Sequence, residues 1–184
     1  MKKRFFLLAF TLVFAILVMA NGPAVPKLAE PVMITTAGQS AGAAMMKVLF
    51  TKSNIKDFVF EKLVTADEIE GYETLVIVAG ASSKGLGAAG IDFDGETQRV
   101  TALIEAAKKQ GMKVVVAQIE GAARRGTSSD QLFSLFVPMS DWVIIVRDAD
   151  SDGFFTNLCE EHGIPLTIVE KSIEVSAQLN AVFE

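Results

Sequence analysis

The sequence predicts an α/β fold: three layers built on a mostly parallel, doubly wound sheet of the Rossmann-like or flavodoxin-like kind. Two short runs, Val32-Met33-Ile34-Thr35-Thr36 and Thr74-Leu75-Val76-Ile77-Val78-Ala79, are rich in β-branched and apolar residues without alternation, as strands buried on both faces require. Stretches of helical periodicity separate such runs, so that strand and helix alternate through six units. The small-residue and polar turns that follow strands then fall together at the carboxyl edge of the sheet, where open α/β sheets bind ligands.

The chain opens with Lys2-Lys3-Arg4 and an uncharged apolar run from Phe5 to Ala20, the form of a secretory signal peptide (residues 1–20). The run is shorter than the roughly 20 residues of a spanning helix, and Val18 and Ala20 place cleavage between Ala20 and Asn21. The expected location is therefore periplasmic or extracellular, with the membrane touched only through this segment before cleavage; an uncleaved N-terminal anchor is the alternative. Residues 21–31, with three prolines and a glycine, read as a linker, and residues 32–184 as a single α/β domain. Loss of the three leader cations takes the formal charge from −5 to −8, which argues against nucleic acid or an anionic membrane surface as partner. Cys159 is the sole cysteine, so the domain has no intrachain disulfide and is held by its core.

Taken in order, Val32 to Thr36 is the first strand, and Ala37-Gly38-Gln39-Ser40 turns into a helix from Ala41 to about Thr51 with Ser40 as N-cap. Phe58 to Leu63 alternates like an edge strand, Asp67 to Tyr72 is a turn or short helix, and Thr74 to Ala79 is a central strand. The glycine-rich Gly80 to Gly90 reads as a long loop. Between Asp94 and Gln110, Val100, Leu103, Ile104 and Ala107 recur at helical spacing, with Asp94 and Glu96 near the start, Lys108 and Lys109 near the end, and Gly111 as the stop. Lys113 to Ile119 is a strand and Glu120 to Gly126 a polar turn. A helix from Ser128 to Phe136, capped by Ser128 or Ser129, comes next. Trp142 to Val146 is a strand, Asp152 to His162 a helix stopped by Gly163, Leu166 to Val169 the last strand, and residues 173–184 a final helix.

Three motifs bear on chemistry. Gly38-Gln39-Ser40-Ala41-Gly42 matches the G-x-S-x-G elbow of a serine nucleophile, but the only histidine, His162, belongs to a helix-to-strand turn at the opposite edge, so no triad forms. Gly80-Ala81-Ser82-Ser83-Lys84-Gly85-Leu86-Gly87 resembles phosphate-binding loops yet carries Leu86 and Gly87 where a Walker loop has Lys and Ser or Thr, leaving Lys84 as the cation for an anionic group. Asp148-Ala149-Asp150-Ser151-Asp152-Gly153 spaces three carboxylates like a calcium loop, with calcium or magnesium as the candidate cation, but position 12 is Cys159 and a strand precedes the loop. Alternatively Asp152 caps the following helix. Arg124 and Arg125 add two guanidinium forks at the same edge, either for an anionic ligand or to neutralise Asp148, Asp150 or Asp130.

The combination of Thr35-Thr36-Ala37-Gly38-Gln39-Ser40, Ser82-Ser83-Lys84-Gly85, Arg124-Arg125-Gly126 with Ser129-Asp130, and Asp152-Gly153-Phe154-Phe155-Thr156 resembles an uncharacterised family of exported bacterial proteins, a domain of unknown function. The resemblance spans Pro31 to about Glu170 and implies an exported α/β domain without an assigned activity. The residues then lead to a binding protein that takes a small polar or anionic molecule through Gly38, Gln39, Ser40, Ser82, Ser83, Lys84, Arg124 and Arg125. The alternatives are a metal-assisted hydrolase using Asp148, Asp150 and Asp152, and a structural or interaction module.

Overall fold

The computed structural model describes residues 23–183, so the predicted leader lies outside the described residues. Six strands, β1 (Val32–Ala37), β2 (Phe58–Phe60), β3 (Thr74–Ala79), β4 (Lys113–Gln118), β5 (Trp142–Val146) and β6 (Leu166–Val169), form one sheet in the order β2-β1-β3-β4-β5-β6. All five pairings are parallel, as the crossover helices demand. The order reverses at β1, the flavodoxin-like arrangement. Both unalternating runs behave as read: every residue of β1 and β3 is buried.

Among the described residues, five helices lie between strands, α1 (Gly42–Thr51), α2 (Ser83–Ala89), α3 (Phe93–Lys109), α4 (Thr127–Phe136) and α5 (Phe154–His162), and a sixth, α6 (Val175–Val182), follows β6. Right-handed crossovers put α1 on one face and α3, α4 and α5 on the other, and α6 joins α1, which it contacts. The periodic residues of α3, namely Val100, Leu103, Ile104 and Ala107, are all fully buried, and Asp92 caps the helix by accepting from the Gly95 N–H at 2.7 Å. The β-rich inner layer closes over Phe133, Phe136, Phe155 and Trp142, whose indole N–H donates to Thr167 Oγ1 at 3.0 Å.

Three local readings are corrected. The stretch Gly80 to Gly90 is no loop, because α2 forms within it: Ser82 Oγ accepts from the Gly85 N–H at 3.1 Å, and Gly90 ends the helix in the left-handed region at φ 69°. Start and stop signals outweighed the glycine content. Ser40 does not cap α1, whose flanking residue is Ala41, and lies at 3.4 Å from the Gly42 N–H. Neither Ser128 nor Ser129 caps α4; Gly126 precedes the helix, and Ser129 Oγ accepts instead from the Ala81 N–H at 3.0 Å, tying α4 to the end of β3.

Within the stretch read as a linker, Leu28 is buried, donates its N–H to Val182 O and pairs with Phe183, so this strand-like segment is joined to the C-terminal helix. Among the described residues, no helix is long and apolar enough to cross a membrane.

Candidate functional site

The turn after β1 is the most constrained backbone at the carboxyl edge. Gly38 has φ 95° and Gln39 φ 58°, a left-handed conformation that costs a non-glycine residue roughly 1 kcal/mol or more and persists only where surrounding contacts impose it. Glu96 of α3, fully buried, imposes it: Oε1 accepts from the Gly38 N–H at 2.8 Å and from Gln39 Nε2 at 3.0 Å. Arg99, one turn on, compensates the carboxylate through Nε at 2.9 Å and Nη2 at 3.0 Å, and donates further to Thr36 O and Val64 O. This buried ion pair is a keystone beneath the turn. The turn is also sealed from above: a Cβ on Gly38 would stand 2.6 Å from Gly80 O, and one on Gly85 of α2 would strike Gln39 O. Gln39 and Ser40 are therefore buried, at 8% and 7% exposure.

A second internal carboxylate lies at the start of α1. Glu120 Oε1 accepts from Arg124 Nε at 3.2 Å, while Oε2 is buried without a hydrogen-bond partner and would sit 2.7 Å from a Cβ on Gly42. A helix N-terminus favours negative charge, and Glu120 supplies it from within the chain. Arg124 also donates to Ala81 O at 3.1 Å, with its stem packed against Gly80.

Arg125 belongs to the rim. It forks onto Asp130 (2.7 and 3.2 Å) and Asp152 (3.0 and 3.0 Å), donates to Ala149 O, and lies 4.5 Å over the Phe154 ring. The guanidinium holds the exposed Asp152 carboxyl down to about 2, and its carboxylate partners, Asp130 foremost, raise the affinity of Arg125 for its own proton. Of the other residues of that motif, Asp150 accepts from the Phe155 N–H at 2.6 Å, the Thr156 N–H at 3.2 Å and Thr156 Oγ1 at 2.5 Å, capping α5. Asp148 stands apart, against Gly121. Asp152 Oδ1 also accepts from the Phe154 N–H at 3.2 Å, so it shares the start of α5 with Asp150 as the sequence suggested, and no group of three potential metal ligands gathers among the described residues. Ser82 is spent as a cap, Ser83 and Lys84 are exposed on the first turn of α2, and His162 ends α5 at the amino edge, across the sheet from Ser40.

The open space lies elsewhere along the same edge. A crevice of about 470 Å³ runs over the carboxyl ends of β4, β5 and β6, lined by Ile119, Gly121 and Val146, by the carboxylates Glu120, Asp148 and Glu170, and by Lys171, Ser172 and Ile173. None of the eight residues from Gly38 to Arg125 expected to bind a ligand lines it. Gly121, at φ 72°, lets the Asp148 carboxylate lie against its backbone, since a Cβ there would be 2.5 Å from Oδ1. Asp148 and Lys171 enter no ion pair among the described residues, whereas their neighbours Arg147 and Glu170 pair with each other. Lys171 and Ser172 follow β6, and the rule that places post-strand turns at the carboxyl edge applies to them as it does to the other four turns.

None of the curated proteins matches the chain in sequence. Among solved structures, a mutant of the esterase AlinE4 covers 86% of this chain and 83% of its own at 11% identity and a TM-score of 0.33. AlinE4 itself, described as a SGNH-hydrolase family esterase, gives 10% identity over the same shares with a TM-score of 0.33. Likeness of this degree carries no inference about activity. Residues 29–183, nearly the whole of the described chain, match a single family, and the protein belongs to it: the family described as Domain of unknown function (DUF6305).

Proposed function

We propose that this domain binds a small polar molecule in the crevice over β4, β5 and β6, with a cationic group of the ligand against Asp148 and an anionic group near Lys171. The observation that supports it is the pair of opposite charges without protein partners facing one open space at the edge where α/β sheets bind ligands. The turn after β1 lends no comparable support, because Glu96 already occupies its donors. Export is part of the same reading, on the strength of the basic and apolar N-terminal segment.

A panel of amino acids, betaines, organic acids, polyols and divalent cations, followed by thermal melting, tests this. A ligand at 100 times its dissociation constant adds roughly 2.7 kcal/mol to stability. For a domain of this size, that corresponds to a rise in Tm of roughly 5–10 °C. Asp148→Asn and Lys171→Gln abolish the rise while leaving the unliganded melt within about 0.5 kcal/mol of the parent, since both side chains are exposed and unpaired. A panel without a shift, or a shift indifferent to both variants, overturns the reading.

A further inference from the structure

The polar crevice shares Ser172 and Ile173 with a neighbouring space. Both residues also line an apolar hollow of about 240 Å³ formed with Met45, Val48 and Leu49 of α1. Met45, Val48 and Ile173 are 38%, 52% and 52% exposed, half of the large apolar side chains left exposed in the described chain. Their clustering is what distinguishes them, because apolar residues scattered singly on a surface need no explanation.

Resting on the binding reading above, we infer that the ligand is a small amphiphile: a zwitterionic head seated between Asp148 and Lys171, and a short alkyl chain running past Ser172 into the hollow at Met45, Val48 and Ile173. The shared wall residues place head site and chain site side by side, and the two differ in chemistry as the two ends of such a molecule do. Gly121 fixes the head end, since the Asp148 carboxylate lies against its backbone where any side chain would displace it.

The probes are n-alkyl phosphocholines from ethyl to octyl, used below their micellar concentrations, with binding to the mature protein followed by calorimetry. Each added methylene buried in the hollow tightens binding about fourfold until the hollow is full. Val48→Asp and, independently, Met45→Asp flatten that series while leaving the affinity for ethyl phosphocholine unchanged, and Asp148→Asn weakens all members by the same factor. Both apolar positions are exposed and line the hollow alone, so neither substitution threatens the fold or touches the head site. If ethyl phosphocholine binds through Asp148 but chain length has no effect, the amphiphile is refuted and the polar-ligand reading stands. If no member binds, the amphiphile is refuted, and the metabolite panel decides the polar-ligand reading separately. Concentration-dependent dimerisation abolished by Val48→Asp refutes it as well, by assigning the hollow to a second copy. Sedimentation with phosphatidylcholine vesicles, lost in Val48→Asp, supports the same head-and-chain chemistry with a membrane lipid as its source.

Discussion

Removing the Arg99 guanidinium should cost this protein more than any exposed substitution, and the structure sets the size. The side chains of Arg99 and Glu96 are 8% and 0% exposed, so Arg99→Met leaves a carboxylate buried with only the Gly38 N–H and Gln39 Nε2 as donors. It also strips Thr36 O and Val64 O of their partners. Breaking a buried pair from one side costs about 3–5 kcal/mol, dominated by the uncompensated charge. That corresponds to a fall in Tm of roughly 6–20 °C for a domain of this size. Glu96→Gln falls in the same range, because its amide presents either a donor to the arginine or no second acceptor. The double variant Glu96→Gln/Arg99→Met removes both charges together, and its loss should fall short of the sum of the single losses by about 1–3 kcal/mol. Urea denaturation of the four proteins measures the cycle. Single-variant losses below about 1 kcal/mol, or strict additivity, would refute the argument that the pair is a desolvated keystone under the β1 turn.

Arg125→Gln should lose about 1–3 kcal/mol in the unliganded protein because it abandons Asp130, Asp152 and Ala149 O at once, and Arg124→Gln should lose a similar amount by chemical denaturation because it leaves the largely buried Glu120 carboxylate and Ala81 O without their donor. The folded Asp152 carboxyl titrates near 2, below its unfolded value, so the stability it contributes is present above about pH 4 and disappears as pH falls toward 2. A carboxyl NMR titration should return that midpoint, and Arg125→Gln should move it back to the ordinary aspartate range. Gly85→Ala should destabilise because its Cβ strikes Gln39 O, while Gly87→Ala in the same helix, with open space around it, should gain about 0.4–1 kcal/mol; paired thermal melts distinguish the two. Burial, helped by Asp150, pushes the Cys159 thiol up to about 12, so a disulfide-exchange reagent at pH 8 should leave the folded protein unlabelled and react on unfolding.

What the sequence determined by itself was whatever depends on local pattern. The unalternating β-branched runs at Val32 to Ala37 and Thr74 to Ala79 require burial on both faces, so the parallel sheet and its covering helices follow from them. The periodicity of Val100, Leu103, Ile104 and Ala107 likewise dictated α3 and its inner face. Even α2 was signalled by Ser82 and Gly90, although the glycines between them disguised it. The tertiary structure alone decided which polar groups stay open to a ligand, because that depends on which partners long-range packing brings to each of them. Glu96 sat in the sequence as a helix-dipole residue and became the anion that fills the β1 turn, across 58 positions of chain from Gly38. Arg125 and Asp152, each a ligand candidate alone, neutralise one another once α4 and α5 are packed, and Asp150 is consumed as a cap. Asp148, a metal-ligand candidate in the linear reading, and Lys171, which that reading passed over, enter no ion pair among the described residues and line one crevice.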